Sequence, residues 1–196
     1  APYCVLLENS DYEGEAHARE RFEALMQAAM DAGWVRDAVI AENLSQARAL
    51  WHVRESIPLA QATVGLNIKH DISLPVSRIP AFCEATDAAL LQTIPGVRLV
   101  NFGHLGDGNL HYNVQCPEGA DVAAFLREHE ARVHALVYDS VHAHGGSISA
   151  EHGVGELKRD TLPHYKSPVA LSMMKAVKQA LDPQGLLNPR RVLNAD

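Results

Sequence analysis

The sequence predicts an α+β fold: an antiparallel sheet with helices packed on one face, built from ferredoxin-like halves. Three observations lead there. Residues 67–76 alternate, with Ile68, His70, Ile72 and Leu74 on one side and Lys69, Asp71 and Ser73 on the other, the period of a half-buried strand. Two apolar runs, 97–102 and 110–115, flank Asp107-Gly108, a hairpin signal. Segments of helical period are interspersed with these strands.

Taken in order, residues 3–8 form an apolar run that reads as a first strand. A helix is expected from about 14 to 32, because Phe22, Leu25, Met26, Ala29 and Met30 fall on one helical face, and Gly33 ends it. Residues 35–41 read as a second strand. Ser45 is placed to cap a helix through Leu50, Trp51 and Arg54 that runs towards Pro58. The alternating strand follows. Ser77 then caps a helix with Pro80 in its first turn, closing at Pro95-Gly96. The hairpin comes next, then a long helix from about 121 to 143 ended by Gly145-Gly146. A short strand over 147–150 leads into Glu151-His-Gly-Val-Gly155, and Ser167-Pro168 opens a last helix that stops near Asp182-Pro183.

Composition narrows the function classes. The chain has 196 residues, 47% hydrophobic and 21% charged, which excludes collagen-like, coiled-coil and disordered classes. A formal net charge of -7 without a basic stripe argues against nucleic acid as a partner. No apolar run approaches the roughly 18 residues of a spanning helix, and no signal peptide is visible. Cys4, Cys83 and Cys116 are odd in number and widely spaced, and read as small core residues. A reducing compartment is expected, hence a cytoplasmic protein.

Eleven residues are histidine, the commonest metal ligand and a common proton carrier. The richest stretch is Asn101-Phe-Gly-His-Leu-Gly-Asp-Gly-Asn-Leu-His-Tyr-Asn113. A two-residue turn at Asp107-Gly108 would set His104 opposite His111, with Cβ atoms about 4.5–5.5 Å apart, and Asn113 on the same face. Two imidazoles so placed can share a cation, or simply be hydrogen-bonded sheet histidines. Glu151, just after a buried-looking strand, can complete a His-His-Glu set with open coordination positions, as in catalytic zinc sites; Glu151-His152 is equally readable as a solvated loop pair. Arg54, on a helix beside Trp51, can hold a carboxylate by two parallel bonds or pair with a surface acid. Lys69 is a single cation on a strand. There is no Ser-His-Asp arrangement, phosphate loop or dinucleotide fingerprint.

Gly103-His-Leu-Gly-Asp-Gly-Asn-Leu-His-Tyr-Asn113 together with Ser149-Ala-Glu-His-Gly-Val-Gly155 resembles the C-terminal domain of FAD-linked oxidases. That group contains D-lactate dehydrogenases, the glycolate oxidase D subunit and D-2-hydroxyglutarate dehydrogenases. The resemblance runs from Trp51 to Asn188 and implies one substrate- and metal-binding domain over residues 1–196, whose FAD is bound mainly by a separate N-terminal domain absent from this chain. It implies His104, His111 and Glu151 as ligands of a divalent ion, zinc being expected, and His152 as general base. Arg54, Lys69 and Asn113 would contact a small 2-hydroxy acid such as D-lactate, and Asn188 would lie near the flavin. The family tail Asn-Pro-Gly-Lys is here Asn188-Pro189-Arg190-Arg191. Hydroxyglutarate-type members carry Thr where this chain has Pro58. The isolated chain is expected to be inactive. The electron acceptor is left unnamed, and a homo-oligomer is compatible with the reading. The rival readings are a standalone metal-binding module without redox activity and a metal-assisted hydrolase.

Overall fold

A computed structural model describes residues 3–194. The chain divides into two compact units, residues 1–64 and 65–196.

The first unit is helical. Helix α1 (Glu15–Asp31) stops one residue before Gly33, whose φ is 73°. Helix α2 (Leu44–Glu55) is capped by Asn43, whose side chain accepts the Gln46 N–H, two residues earlier than the Ser45 cap expected. Pro58 does not stop this segment. It sits in the first turn of a further helix, α3 (Ile57–Val64), where the missing N–H costs nothing. The strands expected at 3–8 and 35–41 are not formed. Tyr3, Val5 and Leu7 are exposed, and no described residue of this unit offers them a ladder. An apolar run becomes a strand only when its backbone groups find a partner chain segment. Cys4 is likewise exposed rather than a core residue.

The second unit carries the sheet. Its strands are β1 (Asn67–Ile68), β2 (Asp71–Ser73), β3 (Arg98–His104) and β4 (Asn109–Gln115). β4 is central, pairing antiparallel with β3 on one side and with β1 and β2 on the other. β1 and β2 are one interrupted strand: Ile68 faces Val114, Asp71 faces His111, and the Tyr112 N–H bonds the His70 carbonyl between them. A fourth segment is reduced to a single bridge, Ser147 to Ser73. The spatial order is therefore fourth, first, third, second, the ferredoxin-like order expected, formed within this unit alone.

Helix α4 (Ile79–Thr93) follows a 3-10 turn at Val76–Arg78, with Pro80 in its first turn. Helix α5 (Val122–Ala143) is capped by Asp121, whose carboxylate accepts the Ala123 and Ala124 N–H groups. Both cover the even-numbered face of the sheet. Ile68, Ile72, Leu74, Leu110, Tyr112 and Val114 from the strands form one core with Phe82, Leu90, Val133, Val137 and Val141 from the helices. The alternation read along 67–76 thus sorts the faces correctly. A short helix α6 (Leu162–Tyr165), absent from the sequence reading, precedes α7 (Pro168–Leu181), which is capped by Ser167.

Candidate functional site

The opposite face of the sheet, formed by odd-numbered residues of β1, β2 and β4 and even-numbered residues of β3, holds the polar residues. Its rows follow from the register: Ser73–Asn109–His104, then Asp71–His111–Phe102, then Asn113 opposite Val100. The same β2–β4 offset carries Lys69 to the row of Asn113.

The hairpin is not the two-residue turn expected. Leu105–Asp107 make a 3-10 turn, Gly108 takes φ 76°, and Asp107 accepts the Asn109 N–H at 3.0 Å. Four residues separate the paired His104 and Asn109, so His104 faces Asn109 and Phe102 faces His111. The direct His104–His111 pairing is therefore not formed. A shift of two residues keeps both imidazoles on one face but sets them on a diagonal, about 7–8 Å apart in such a ladder.

His111 meets a different partner set. Donor atoms of Asp71, His111 and Glu151 all lie within 4.8 Å of one another. His111 Nε2 is 3.0 Å from Glu151 Oε1, and the Asn109 amide donates to the same oxygen at 2.5 Å. The Phe102 ring lies 4.9 Å from the His111 ring on centroids, and the His152 ring 5.9 Å. His152 is largely exposed, with Nδ1 3.8 Å from Asp71 Oδ2.

Asp71 is 5% exposed, yet its carboxyl titrates below the ordinary range. Burial opposes ionisation, but the N–H groups of His152, Glu151 and Ala150 outweigh it. Glu151 is also lowered, chiefly by the Asn109 amide; burial opposes this and His111 adds to it. Both carboxylates are thus available as anions at neutral pH.

Asp71 Oδ2 is taken up by backbone N–H groups, so the carboxylate of Glu151 and the imidazole of His111 are the donors that suit a divalent ion of intermediate hardness. A second observation fits. Asn109, which holds Glu151, has its Oδ1 buried without a hydrogen-bond partner, as does Ser149 Oγ beside the loop. Buried polar atoms of this kind are satisfied by an ordered water or an ion.

Of the residues expected from sequence, the structure brings His111, Glu151 and His152 together. His104 lies one row away and outside the converging group. Asn113 is buried on the same face and Lys69 is exposed on it. Arg54 lies half-buried on α2 of the first unit, and Asn188 is in the tail with a left-handed φ of 46°. Asp71 and Asn109 were missed. The alternation of 67–76 places Asp71 on the correct face of its strand, but its pairing to His111, forty residues on, has no local signal.

The family model for the C-terminal domain of FAD-linked oxidases matches residues 2–192. The chain belongs to this family. A D-2-hydroxyglutarate dehydrogenase of Stutzerimonas stutzeri (strain A1501) is 39% identical to it, over 99% of this chain and 41% of that protein. The mitochondrial D-2-hydroxyglutarate dehydrogenase of Arabidopsis thaliana is 37% identical over 97% of the chain and 32% of its own length. A putative mitochondrial D-lactate dehydrogenase of Schizosaccharomyces pombe (strain 972 / ATCC 24843) is 34% identical over 96% and 36%. The FAD-oxidase domain thus spans roughly two fifths or less of these relatives. Some of their names carry a mitochondrial address, which a plain cytoplasmic expectation does not cover. No helix among the described residues is long and apolar enough to cross a membrane.

Proposed function

We propose that the chain is the substrate- and metal-binding domain of a flavin-dependent dehydrogenase that oxidises a D-2-hydroxy acid to the 2-oxo acid. The observation that carries this reading is the meeting of His111 and Glu151 with Asp71, with His152 beside them, in a member of the FAD-linked oxidases.

In this reading His111 and Glu151 hold a divalent ion, zinc being our choice, and His104 joins them from the neighbouring row. Such an ion supplies a Lewis acid for the hydroxyl and carboxylate oxygens of the substrate. FAD, bound mainly by a separate N-terminal domain, supplies the two-electron acceptor. His152 takes the hydroxyl proton on a ring nitrogen; a positioned base of this kind typically contributes about 10²–10⁴-fold. Its exposure leaves the ring open to an incoming acid. Arg54 holds the substrate carboxylate through its planar fork, Lys69 adds a point charge, and Asn113 offers amide hydrogen bonds. Fixing the carboxylate selects which face of the carbon is presented. Asn188 approaches the flavin.

The relatives' names favour D-2-hydroxyglutarate as the first acid to try, with D-lactate second. Pro58, where hydroxyglutarate-type members carry Thr, weighs the other way. The test joins this chain to the flavin-binding domain of a D-2-hydroxyglutarate dehydrogenase and assays a panel of D-2-hydroxy acids with a dye acceptor. Turnover that falls about 10²-fold or more in His152→Ala is the expected result. Dye reduction by the chain alone, without added flavin domain, would overturn the division of labour. An equally active His152→Ala fusion would overturn the assignment of the base.

A further inference from the structure

We propose that Asp71 is a positioning residue, a carboxylate clamp that shapes the Ala150–His152 backbone and so sets where Glu151 and His152 project. The inference deepens the functional reading above and rests on it for the roles of those two side chains.

Three consecutive N–H groups converge on one carboxylate. Ala150, Glu151 and His152 donate to Asp71 Oδ2 at 3.1, 3.2 and 2.9 Å, and Glu151 also reaches Oδ1 at 3.3 Å. None of the three donates to a backbone carbonyl among the described residues. Successive N–H groups aimed at one point form a concavity that elsewhere holds phosphate or another external anion. Here the anion is internal, 5% exposed and delivered by β2 from about eighty residues upstream.

The same residue is locked on its other side. Asp71 is the direct cross-strand partner of His111. The clamp therefore joins the strand that carries His111 to the loop that carries Glu151, and the 3.0 Å approach of those two side chains depends on it. Residues 149–153 have no helix or strand of their own; Ser147 holds the Ser149 backbone and Asn109 the Glu151 carboxylate, and Asp71 is what receives the backbone N–H groups of 150–152. Lys158 braces the arrangement from behind, donating to the Ile148 carbonyl at 2.8 Å and the Asp71 carbonyl at 3.4 Å.

The test has two arms. In the metal-free chain, amide hydrogen exchange followed by NMR is expected to be slower at Ala150, Glu151 and His152 than at the neighbouring Gly153 and Gly155. Asp71→Asn should abolish that difference while the Val137 amide in the core stays protected. Unprotected amides in the wild type would overturn the clamp, and this measurement needs no variant, so it decides even where Asp71→Asn does not fold. In the second arm the chain is titrated with Co²⁺ and followed by its visible ligand-field bands. Asp71→Asn should weaken Co²⁺ binding about 10- to 100-fold, as loss of an outer hydrogen-bond partner does, and His111→Ala should abolish it. Binding lost in His111→Ala but unchanged in Asp71→Asn would overturn the positioning role. If Co²⁺ binds nowhere in the wild type, the metal reading of the site fails, and the exchange arm alone still upholds or overturns the clamp.

Discussion

His70, next to the clamp residue, points the opposite way, into the core, and is 1% exposed. Its Nδ1 donates to the Tyr112 carbonyl at 2.8 Å and its Nε2 accepts from His134 Nδ1 at 2.9 Å. Burial, then His134, pulls its pKa from 6.5 down to about 3, against the Tyr112 bond. In the unfolded chain His70 takes up a proton near its ordinary value, but in the folded chain only near 3. Between those values the unfolded state binds more protons, so stability is fully present above about 6.5 and is lost as pH falls towards 3, at up to about 1.4 kcal/mol per pH unit. The carboxylates lowered in the fold act further into acid, since their ordinary values are 3.8 and 4.5. Calorimetry at pH 7 and pH 5 should therefore show a lower Tm at pH 5, and His70→Gln should flatten that difference; an unchanged slope would rule out His70 as its source. The side on which His70 lies was readable from the alternation of its strand. Its pairing with His134 was not, because that residue comes from a helix sixty-four positions on and reads locally as part of a solvated face.

The hairpin decides the site at the level of elements, and glycines decide the hairpin. A Cβ at Gly108 would lie 2.0 Å from the Leu74 carbonyl oxygen, and φ there is already left-handed. A Cβ at Gly103 would lie 2.1 Å from the Asn109 carbonyl oxygen. Gly106 has open space around it. Gly103→Ala and Gly108→Ala should each destabilise the chain by about 1–3 kcal/mol, while Gly106→Ala stays within about 0.5 kcal/mol; urea unfolding midpoints measure all three. Equal midpoints for the three variants would contradict the close backbone approach. The Asp107-Gly108 signal announced a turn correctly but not its length. Asp107 accepts the Asn109 N–H and Gly108 docks under Leu74, so the loop takes four residues instead of two. That choice moves His104 by one row and leaves His111 to Asp71 and Glu151.

The whole molecule keeps its buried apolar residues in one place. Every member of the core lies between Ile68 and Leu162, inside the second unit, and helix α1 of the first unit buries none of its residues. The second unit should accordingly carry the cooperative transition. A chain trimmed to residues 65–196 is expected to unfold in a single calorimetric step with most of the heat of the full chain, whereas residues 1–64 alone should show none. A trimmed chain without a sharp transition would refute that allocation. Seven of the eight positions named by sequence or resemblance also fall in this unit, namely Lys69, His104, His111, Asn113, Glu151, His152 and Asn188, while Arg54 belongs to the other unit.

The sequence by itself determined the long helices and the hairpin strands of the second unit, the two faces of its sheet and the two glycine-framed candidate segments, though not the short helix α6 or the reduction of the strand at 147–150 to one bridge. It could do so because helical and strand periods, caps and turn residues are local properties, written within a few positions of one another. It could not determine the partners across the sheet. Which imidazole stands opposite which carboxylate depends on the length of one loop and on backbone bonds between Asp71 and residues about eighty positions away. A shift of two residues preserves every face, and therefore every pattern visible in the sequence, while replacing every neighbour; only the folded chain fixed that register.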